Sequence, residues 1–363
     1  MKTKFVSETE NEHGSRLFII LVILLVVSFL CLPLAQQVTG LVSDVKFNEN
    51  RVKTKMPAFG SNAFLNGDYT NKLEAYYSDN YGLREQLIYL NNKINSFLDA
   101  SYNPKVVKGK NNWLYYLDEV NDYRHIATLT DDQISQIVQI LWKYQSDLKD
   151  RGIEFVFVIG PNKSTIYPEN MPDSVKVVNG ESNCEKLEAA LAKNGQVNYV
   201  LLNETLIKHK NAAVPPLYFL TDTHWNWAGA YLGANTLLEY LSKKLSREIE
   251  MPRIVKWEGP VLNNGDLNMM LGIKNESKWM IPKLEPASPE VKLCDKVFWY
   301  RDSFGNFLAP MCNPYFKESV EWYTAEKGVT EKIPADYYKG TKLVVFEIVE
   351  RNLPVILSCN FKF

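Results

Sequence analysis

Histidine is scarce in this sequence of 363 residues, which contains only His13, His125, His209 and His224. Any mechanism that uses an imidazole as a base must choose among these four. The five cysteines lack paired Cys-x-x-Cys spacing, and the histidines are too dispersed to indicate a zinc site. We therefore expect neither a bound metal nor another cofactor.

An excess of positive charge is also absent, because 41 Lys and Arg residues face 42 Asp and Glu residues, for a formal net charge of −1. A protein that follows the phosphates of a nucleic acid needs a basic surface, so we expect no nucleic-acid partner. With 46% hydrophobic residues, and without repeats or low-complexity tracts, the chain is too apolar to be disordered as a whole.

Only one long apolar run is present, over residues 17–35, which contain no charged side chain. As a helix this run is roughly 28 Å long at about 1.5 Å per residue, close to the thickness of the membrane hydrocarbon. The hydrophobic part of a secretory signal has only about 7–15 residues, so an uncleaved membrane anchor is favoured. Cleavage of a signal peptide after Ala35 is the alternative.

The order of segments predicts where the body lies. Basic residues flank the apolar run on both sides and do not decide its orientation. A first hydrophobic segment ahead of a long domain usually acts as an export signal. We expect a cytoplasmic tail (residues 1–16), a single-pass anchor in the cytoplasmic (inner) membrane (17–35), a polar stalk (36–70) and an extracytoplasmic, periplasmic catalytic domain (71–363).

The cysteines of that body are Cys184, Cys294, Cys312 and Cys359. Outside the cytoplasm disulfides persist, and four cysteines permit three pairings. A Cys294–Cys312 bond would connect the two flanks of the segment around Ser303. The alternative is four buried free thiols, and the sequence leaves both possibilities open.

Helical and β-rich segments alternate along the body. Thr130 and Gln133 form a capping-box pair at the start of a helical pattern that ends at Gly152, and the apolar run at 153–159 then predicts a buried strand. Further strands are expected at 197–202, 296–300 and 343–349, helices at 83–98, 184–193 and 227–245, and a hairpin at 106–116. The alternation of helices with buried strands predicts an α/β three-layer sandwich with a mostly parallel central sheet.

Two of these segment ends carry residues suited to acyl transfer. Ser303 follows the strand at 296–300 and precedes Gly305 by two positions, where a nucleophile is often presented on a tight turn. Asp222 and His224 lie two residues apart just before the helix at 227, so an extended backbone places both on one face. An aspartate there can hold an imidazole that serves as a base for the serine. The plainer alternatives are a turn at Ser303 and a helix cap at Asp222.

Several segments together resemble those of the alginate O-acetyltransferase family (AlgX/AlgJ-like) and its DHHW-type relatives, which have an SGNH-hydrolase-like fold. The matching segments lie in the same order over roughly residues 75–355. They are Asn-Tyr-Gly-Leu-Arg-Glu at 80–85, Gly-Lys-Asn-Asn-Trp-Leu-Tyr at 109–115, Gly-Pro-Asn-Lys-Ser-Thr-Ile-Tyr-Pro at 160–168, Thr-Asp-Thr-His-Trp-Asn at 221–226, Gly-Asp-Leu at 265–267, Arg-Asp-Ser-Phe-Gly at 301–305 and Glu-Ile-Val-Glu-Arg-Asn-Leu at 347–353.

The resemblance implies that Asp222 and His224 form an Asp-x-His motif and that Ser303 is the nucleophile. Arg301 is a departure, because a glycine is common at this position in the family. The implied function is an O-acyltransferase that moves acetyl from a donor to hydroxyls of a cell-surface or exported polysaccharide. A membrane-bound acyltransferase that supplies acetyl groups is a further possible partner. A carbohydrate O-acetyl esterase and a non-catalytic scaffold of a polysaccharide-export complex are the alternatives.

Other residues near these motifs are candidates for binding. The backbone N–H groups of Ser303 and Gly305 are natural donors to an oxyanion. Asn162 and Lys163, which follow the strand at 153–159, are candidates to line the same edge, with a plain turn as the alternative. Aromatic side chains near the motifs can form either a sugar platform or part of the core. They are Trp225, Trp227, Trp299, Phe304 and Phe307.

Overall fold

The computed structural model describes residues 3–40, 54–58, 68–97, 103–178, 180–212, 216–273, 277–359 and 361. The chain divides into two compact units, Met1–Ser101 and Tyr102–Phe363. Each unit is considered by itself below.

In the first unit the described residues form the helices α1 (Thr3–Thr39), α2 (Asp68–Asn80) and α3 (Arg84–Phe97). Within α1, Phe18–Gln37 has a mean hydropathy of 3.1 and is long and apolar enough to cross a membrane. Helix α3 confirms the helix expected at 83–98. Much of the predicted stalk lies outside the described residues, and the division into tail, anchor, stalk and catalytic domain stays a prediction.

The second unit contains the following elements. Its strands are β1 (Val106–Lys108), β2 (Leu114–Tyr116), β3 (Glu154–Gly160), β4 (Tyr199–Leu201), β5 (Arg253–Asn263), β6 (Ser277–Glu285), β7 (Cys294–Arg301), β8 (Phe316–Tyr323) and β9 (Leu343–Val349). Its helices are α4 (Leu117–Tyr123), α5 (Asp131–Lys149), α6 (Lys163–Ile166), α7 (Asn183–Asn194), α8 (Asn203–His209), α9 (Trp227–Lys244), α10 (Asp266–Met270), α11 (Gly305–Cys312) and α12 (Thr324–Lys327). Short 3-10 turns cover Pro168–Asn170, Asn313–Tyr315, Ala335–Tyr337 and Glu350–Ser358.

A five-stranded sheet with the order β4-β3-β9-β7-β8 organises this unit, and every neighbouring pair in it is parallel. The central strand β9 is buried along its whole length, as expected for a parallel sheet covered on both faces. The pairs β1-β2 and β5-β6 form separate antiparallel hairpins. The predicted parallel α/β sheet is thus confirmed, whereas the β5-β6 hairpin and the edge strand β8 were not expected from the sequence.

Two hydrophobic layers cover the sheet, because successive side chains of a strand point to opposite faces. From β3, Val156 and Val158 pack in the layer that contains α9 and α11, while Phe155 and Phe157 pack in the layer that contains α5 and α7. Helix α5 begins with the expected capping box between Thr130 and Gln133. The result is the predicted three-layer sandwich.

All five cysteines are free thiols, so the Cys294–Cys312 disulfide is wrong. Cys312 is fully buried in the core below α9, and the Cys294 thiol is directed at the carbonyl oxygen of Lys296, 3.6 Å away. The two side chains therefore have different surroundings, and the alternative of free thiols applies.

We predict that the packing of α5 on the sheet is a main source of stability. Leu141 is fully buried in this layer. Leu141→Ala should lower the free energy of unfolding by about 2–5 kcal/mol, since it removes apolar contacts and leaves a cavity. Gln139→Ala, an exposed position on the same helix, should change it by less than about 0.5 kcal/mol. Urea denaturation of the full chain in detergent measures both, and equal effects would contradict the assignment of the buried face.

Candidate active site

Four chain segments meet at the carboxyl edge of the parallel sheet. Ser303 follows β7, Asn162 follows β3, Arg351 follows β9, and the segment 222–224 precedes α9. Across this edge the Nε2 atom of His224 lies 2.8 Å from the Oγ atom of Ser303. The sequence could not show that these two side chains meet, because 79 residues separate them.

Asp222 orients the imidazole of His224. Its Oδ1 atom lies 2.7 Å from His224 Nδ1 and also accepts the backbone N–H of His224 at 3.0 Å. The spacing of two residues between Asp222 and His224 therefore brings their side chains together, as the sequence predicted. With Nδ1–H donated to the carboxylate, Nε2 is left as the atom that faces the serine hydroxyl.

The pKa values of this pair move in opposite directions. Burial acts to raise the pKa of Asp222, but the hydrogen bonds and charge of His224 outweigh burial and lower that pKa to about 2. Burial acts to lower the pKa of His224, but the hydrogen bond and charge of Asp222, together with the charge of Asp266, raise it above the usual 6.5. Asp222 therefore stays ionised at neutral pH, and the imidazole holds a proton more tightly than an ordinary histidine does.

Asp266, which the sequence analysis did not select, supports the same loop. Its backbone N–H donates to Asp222 Oδ2 at 3.2 Å, and its carboxylate accepts the N–H of Thr223 at 2.8 Å and the Thr223 hydroxyl at 2.6 Å. Gly265 makes this approach possible: its φ is +74°, and a Cβ atom there would lie 2.1 Å from the carbonyl oxygen of Thr221. The Gly-Asp-Leu segment was the sequence signal for this contact.

Three side chains at the site carry atoms of the kind that bind metals, and these atoms lie within 4.8 Å of one another. The side chains are those of Asp222, His224 and Asp266. The hydrogen bonds among these residues and to Thr223 account for this closeness. The expectation that the site works without a metal stays a prediction.

The turn that carries Ser303 is held from below by Asp302. The Asp302 carboxylate accepts the N–H of Phe304 at 2.9 Å through one oxygen, and the N–H of Val349 at 2.9 Å and the amide of Asn352 at 3.1 Å through the other. These contacts connect the end of β7 to the end of β9. The serine therefore lies on a fixed turn between two central strands.

Arg301, at the position where the resemblance led us to expect glycine, supports the same turn. Its guanidinium contacts Glu321 of β8 at 2.6 Å and donates to Asn306 Oδ1 at 2.7 Å and to the carbonyl of Asp302 at 3.1 Å. Gly305 leaves room for this side chain, since a Cβ atom there would lie 2.3 Å from Arg301 Cδ.

The two predicted oxyanion donors have different surroundings. Within the described part of the chain the N–H of Ser303 has no hydrogen-bond partner. Gly305 is buried at the first position of α11, and among the described residues its N–H also lacks a hydrogen-bond partner of normal geometry. Neither of the two N–H groups is therefore committed to another acceptor.

Lys163 and Asn162 are both fully buried. The Nζ atom of Lys163 donates to the carbonyl oxygens of Phe219, Leu220 and Asp222, at 3.3, 3.4 and 2.6 Å. Burial lowers the pKa of Lys163, while the charges of Glu119 and Asp222 act to raise it. Lys163 thus fastens the loop that precedes His224 instead of lining an open cleft.

Asn162 in turn holds Arg351, a second residue that the sequence analysis did not select. The Asn162 Oδ1 atom accepts from the Arg351 guanidinium at 3.0 Å, and its amide donates to Asp122 at 2.9 Å. The guanidinium carbon lies 5.2 Å from the centre of the Phe304 ring, next to the nucleophile. Among the described residues no carboxylate lies within ion-pair distance of Arg351, and its charge acts to lower the pKa values of Asp122, Glu119 and His224.

The aromatic candidates divide into core and cleft residues. Trp225, Trp299 and Phe304 are fully buried, so the alternative of a core role applies to them, and Trp225 donates its indole N–H to the carbonyl of Phe304 at 3.1 Å. Trp227 and Phe307 are partly exposed, with ring centres 5.0 Å apart, and Phe307 lies 6.2 Å from the His224 ring.

We predict that His224 titrates above the usual histidine pKa of 6.5, because Asp222 stabilises the imidazolium. Nuclear magnetic resonance of the imidazole protons can follow this, since the chain has only four histidines and His224→Gln identifies the signal. Asp222→Asn should move the midpoint to lower pH. A midpoint at or below that of the exposed His209 would contradict the prediction.

Comparison with known proteins agrees with the fold. The family described as SGNH hydrolase-like domain, acetyltransferase AlgX, matches residues 106–296. A probable alginate O-acetylase AlgJ of Pseudomonas fluorescens is 26% identical over 238 residues, which are 64% of this chain and 59% of that relative. The protein of the same name from Pseudomonas syringae pv. tomato is 26% identical over 320 residues, 80% of each chain.

The solved O-acetyltransferase domain of Pseudomonas putida AlgJ superimposes with a TM-score of 0.51 and 19% identity over 69% of this chain and 93% of that domain, which shows a shared fold. The family match covers more than half of the chain. The chain therefore belongs to the SGNH hydrolase-like acetyltransferase family of AlgX.

Proposed function

We propose that this protein is a membrane-anchored, extracytoplasmic O-acetyltransferase that acetylates hydroxyl groups of a polysaccharide. The observation that carries the proposal is the contact of 2.8 Å between His224 Nε2 and Ser303 Oγ, with Asp222 on the other imidazole nitrogen at 2.7 Å. The relatives named alginate O-acetylases support the acetyl group and a polysaccharide acceptor. The anchor would be the apolar helix that includes residues 17–35.

In the first half of the reaction Ser303 attacks the carbonyl carbon of the acetyl donor. His224 takes the hydroxyl proton through Nε2, and Asp222 stabilises the imidazolium that forms. When the tetrahedral intermediate collapses, His224 returns the proton to the leaving group of the donor. The product is an acetyl ester on Ser303.

In the second half a sugar hydroxyl replaces the donor. Neutral His224 takes the proton of that hydroxyl while its oxygen attacks the acetyl-serine, and the proton returns to Ser303 as the ester bond breaks. Water in place of the sugar would give an esterase. The partly exposed rings of Trp227 and Phe307 beside His224 offer apolar surface on which a sugar ring can rest.

Two groups are suited to stabilise the negative oxygen of the intermediate. One is the N–H of Ser303, which is free of partners in the described residues. The other is the guanidinium of Arg351, which Asn162 holds at 3.0 Å without neutralising its charge. Preorganised donors of this kind contribute strongly to acyl transfer, because they need no rearrangement when charge develops.

We predict that Ser303→Ala and His224→Ala each lower the rate of acetyl transfer by roughly 10³-fold or more, because each removes a group required for forming the acetyl-enzyme. The double variant should lose little more than either single variant, because groups that act as a unit are not additive. Asp222→Asn should cost less, since the histidine remains but its tautomer is no longer enforced.

Rates of acetyl transfer from a chromogenic acetyl ester, with and without an oligosaccharide acceptor, measure these effects, with circular dichroism as the folding control. Thr205→Ala is a matched hydroxyl deletion away from the cleft. If the oligosaccharide acceptor accelerates release of the chromogenic group, the protein is a transferase. If the acetyl ester is hydrolysed at the same rate with and without the acceptor, the protein is an esterase. Near-wild-type activity in Ser303→Ala would show that the serine is only a turn residue.

We also predict that the body lies outside the cytoplasm, attached through the apolar helix. Protease added to intact spheroplasts should digest residues of the second unit, whereas a cytoplasmic marker protein stays intact. Protection of the body until lysis would show that the orientation is wrong. Release of the body into the soluble fraction on spheroplast formation would favour cleavage after Ala35.

A further inference from the structure

Glu347 is a fully buried carboxyl group in the centre of the sheet. It belongs to β9 and lies on the face that also carries Val345 and Val349. Both of its carboxyl oxygens lack a hydrogen-bond partner of normal geometry among the described residues. Burial of a polar group without partners is costly, so a position of this kind calls for an explanation.

The carboxyl group of Glu347 lies directly below the site. A Cβ atom added to Gly160 would be 3.4 Å from Glu347 Oε1, 3.4 Å from the ring of Phe304 and 3.5 Å from the indole of Trp225. These three groups therefore meet at Gly160. Phe304 is the residue after Ser303 and Trp225 is the residue after His224, so one carboxyl group lies below the neighbours of both.

The surroundings disfavour the charged form of this group. Burial, and then the charge of Asp302, raise the pKa of Glu347 well above its usual value, while the charge of Arg301 and the N–H groups of Asp302 and Gly305 act to lower it. These are the charged and polar groups that face the carboxyl group. Neither oxygen of Glu347 completes a hydrogen bond of normal geometry with these two N–H groups.

We propose that Glu347 is a positioning residue for acyl transfer: its buried carboxyl group, which lies beside Phe304 and Trp225, offers acceptor oxygens below the turn and so holds the turn that presents Ser303 to His224. This inference rests on the proposed function. A negative charge at the same place would repel Asp302 and compete with the tetrahedral intermediate for the positive ends of the turn's peptide groups. The buried carboxyl group of Glu347 is therefore tolerated, because it orients Ser303 without placing a negative charge next to it.

Two substitutions separate this role from simple packing. Glu347→Gln keeps the shape and one acceptor oxygen without any charge, and it should retain kcat within about threefold of wild type. Glu347→Met has a similar length but no acceptor oxygen. It should lower kcat by about tenfold to hundredfold with little change in KM, because a small misplacement of a nucleophile is costly. Glu154→Gln, an exposed position at the far end of β3, is the control and should have no effect.

A second measurement does not depend on activity. Because the pKa of Glu347 is raised in the folded protein, the wild type loses stability as pH rises above about 4.5, the unfolded value. Glu347→Gln has no such proton to lose. The melting temperature of the Gln variant should therefore rise relative to that of wild type between pH 5 and pH 8, whereas a constant difference would show that Glu347 is already ionised and overturn the proposal.

The outcomes are distinct. Equal kcat in the Met and Gln variants would make Glu347 a packing residue, and an equal loss in both would mean that its negative charge is needed. Either result overturns the proposal. If the Met variant fails to fold, the Gln variant and the pH dependence decide. If wild type never acetylates Ser303, the proposed function fails, and this is seen separately from the behaviour of Glu347.

Discussion

The site depends on the parallel arrangement of the five strands, which places all their carboxyl ends at one edge. Ser303, Asn162 and Arg351 follow three adjacent strands of the sheet, and the loop of His224 is fastened to the same edge by Lys163. Residues far apart in the chain therefore converge without any long excursion of the backbone. An antiparallel neighbour at the centre of this sheet would bring one of these segments to the opposite edge.

Buried polar groups hold each segment of the site in place. Asp302 connects the ends of β7 and β9, Lys163 binds three carbonyl groups of the histidine loop, and Glu350 accepts the N–H of Asn162 at 2.8 Å. Burial raises the pKa of Glu350 to about 7 despite its hydrogen bond from Thr165. These buried groups act through the residues that they position.

The sequence predicted the central sheet better than it predicted the buried residues that hold the site in place. Strand β9 was expected at the residues where it occurs, because residues 343–349 are apolar except for Glu347. Helix α5 was expected because its sequence contains both a capping box and apolar residues at helical spacing. Ser303, His224 and Asp222 could be selected because a serine after a strand and an Asp-x-His pair are local patterns. Whether they act together as a catalytic triad stays a prediction.

The supporting residues could not be found in this way. Lys163 was selected as a candidate for the edge of the sheet, but its role as a buried support was not predicted, because the three carbonyl groups that it binds lie more than fifty residues away. The same is true of Arg351, whose contact with Asn162 spans 189 positions. The β5-β6 hairpin was missed because its strands are largely exposed and mix charges with prolines, so they lack the apolar alternation of a half-buried strand.

The presence of Arg301 at a position where glycine was expected gives the edge strand of the sheet a different role. An edge strand is ordinarily the most dispensable member of a sheet, since it has one neighbour and one exposed side. Here β8 supplies Glu321, which is the anionic partner of the arginine that braces the serine turn. The outermost strand therefore helps to support the turn that carries Ser303. Substitutions in β8 are accordingly more constrained here than they would be with glycine at position 301.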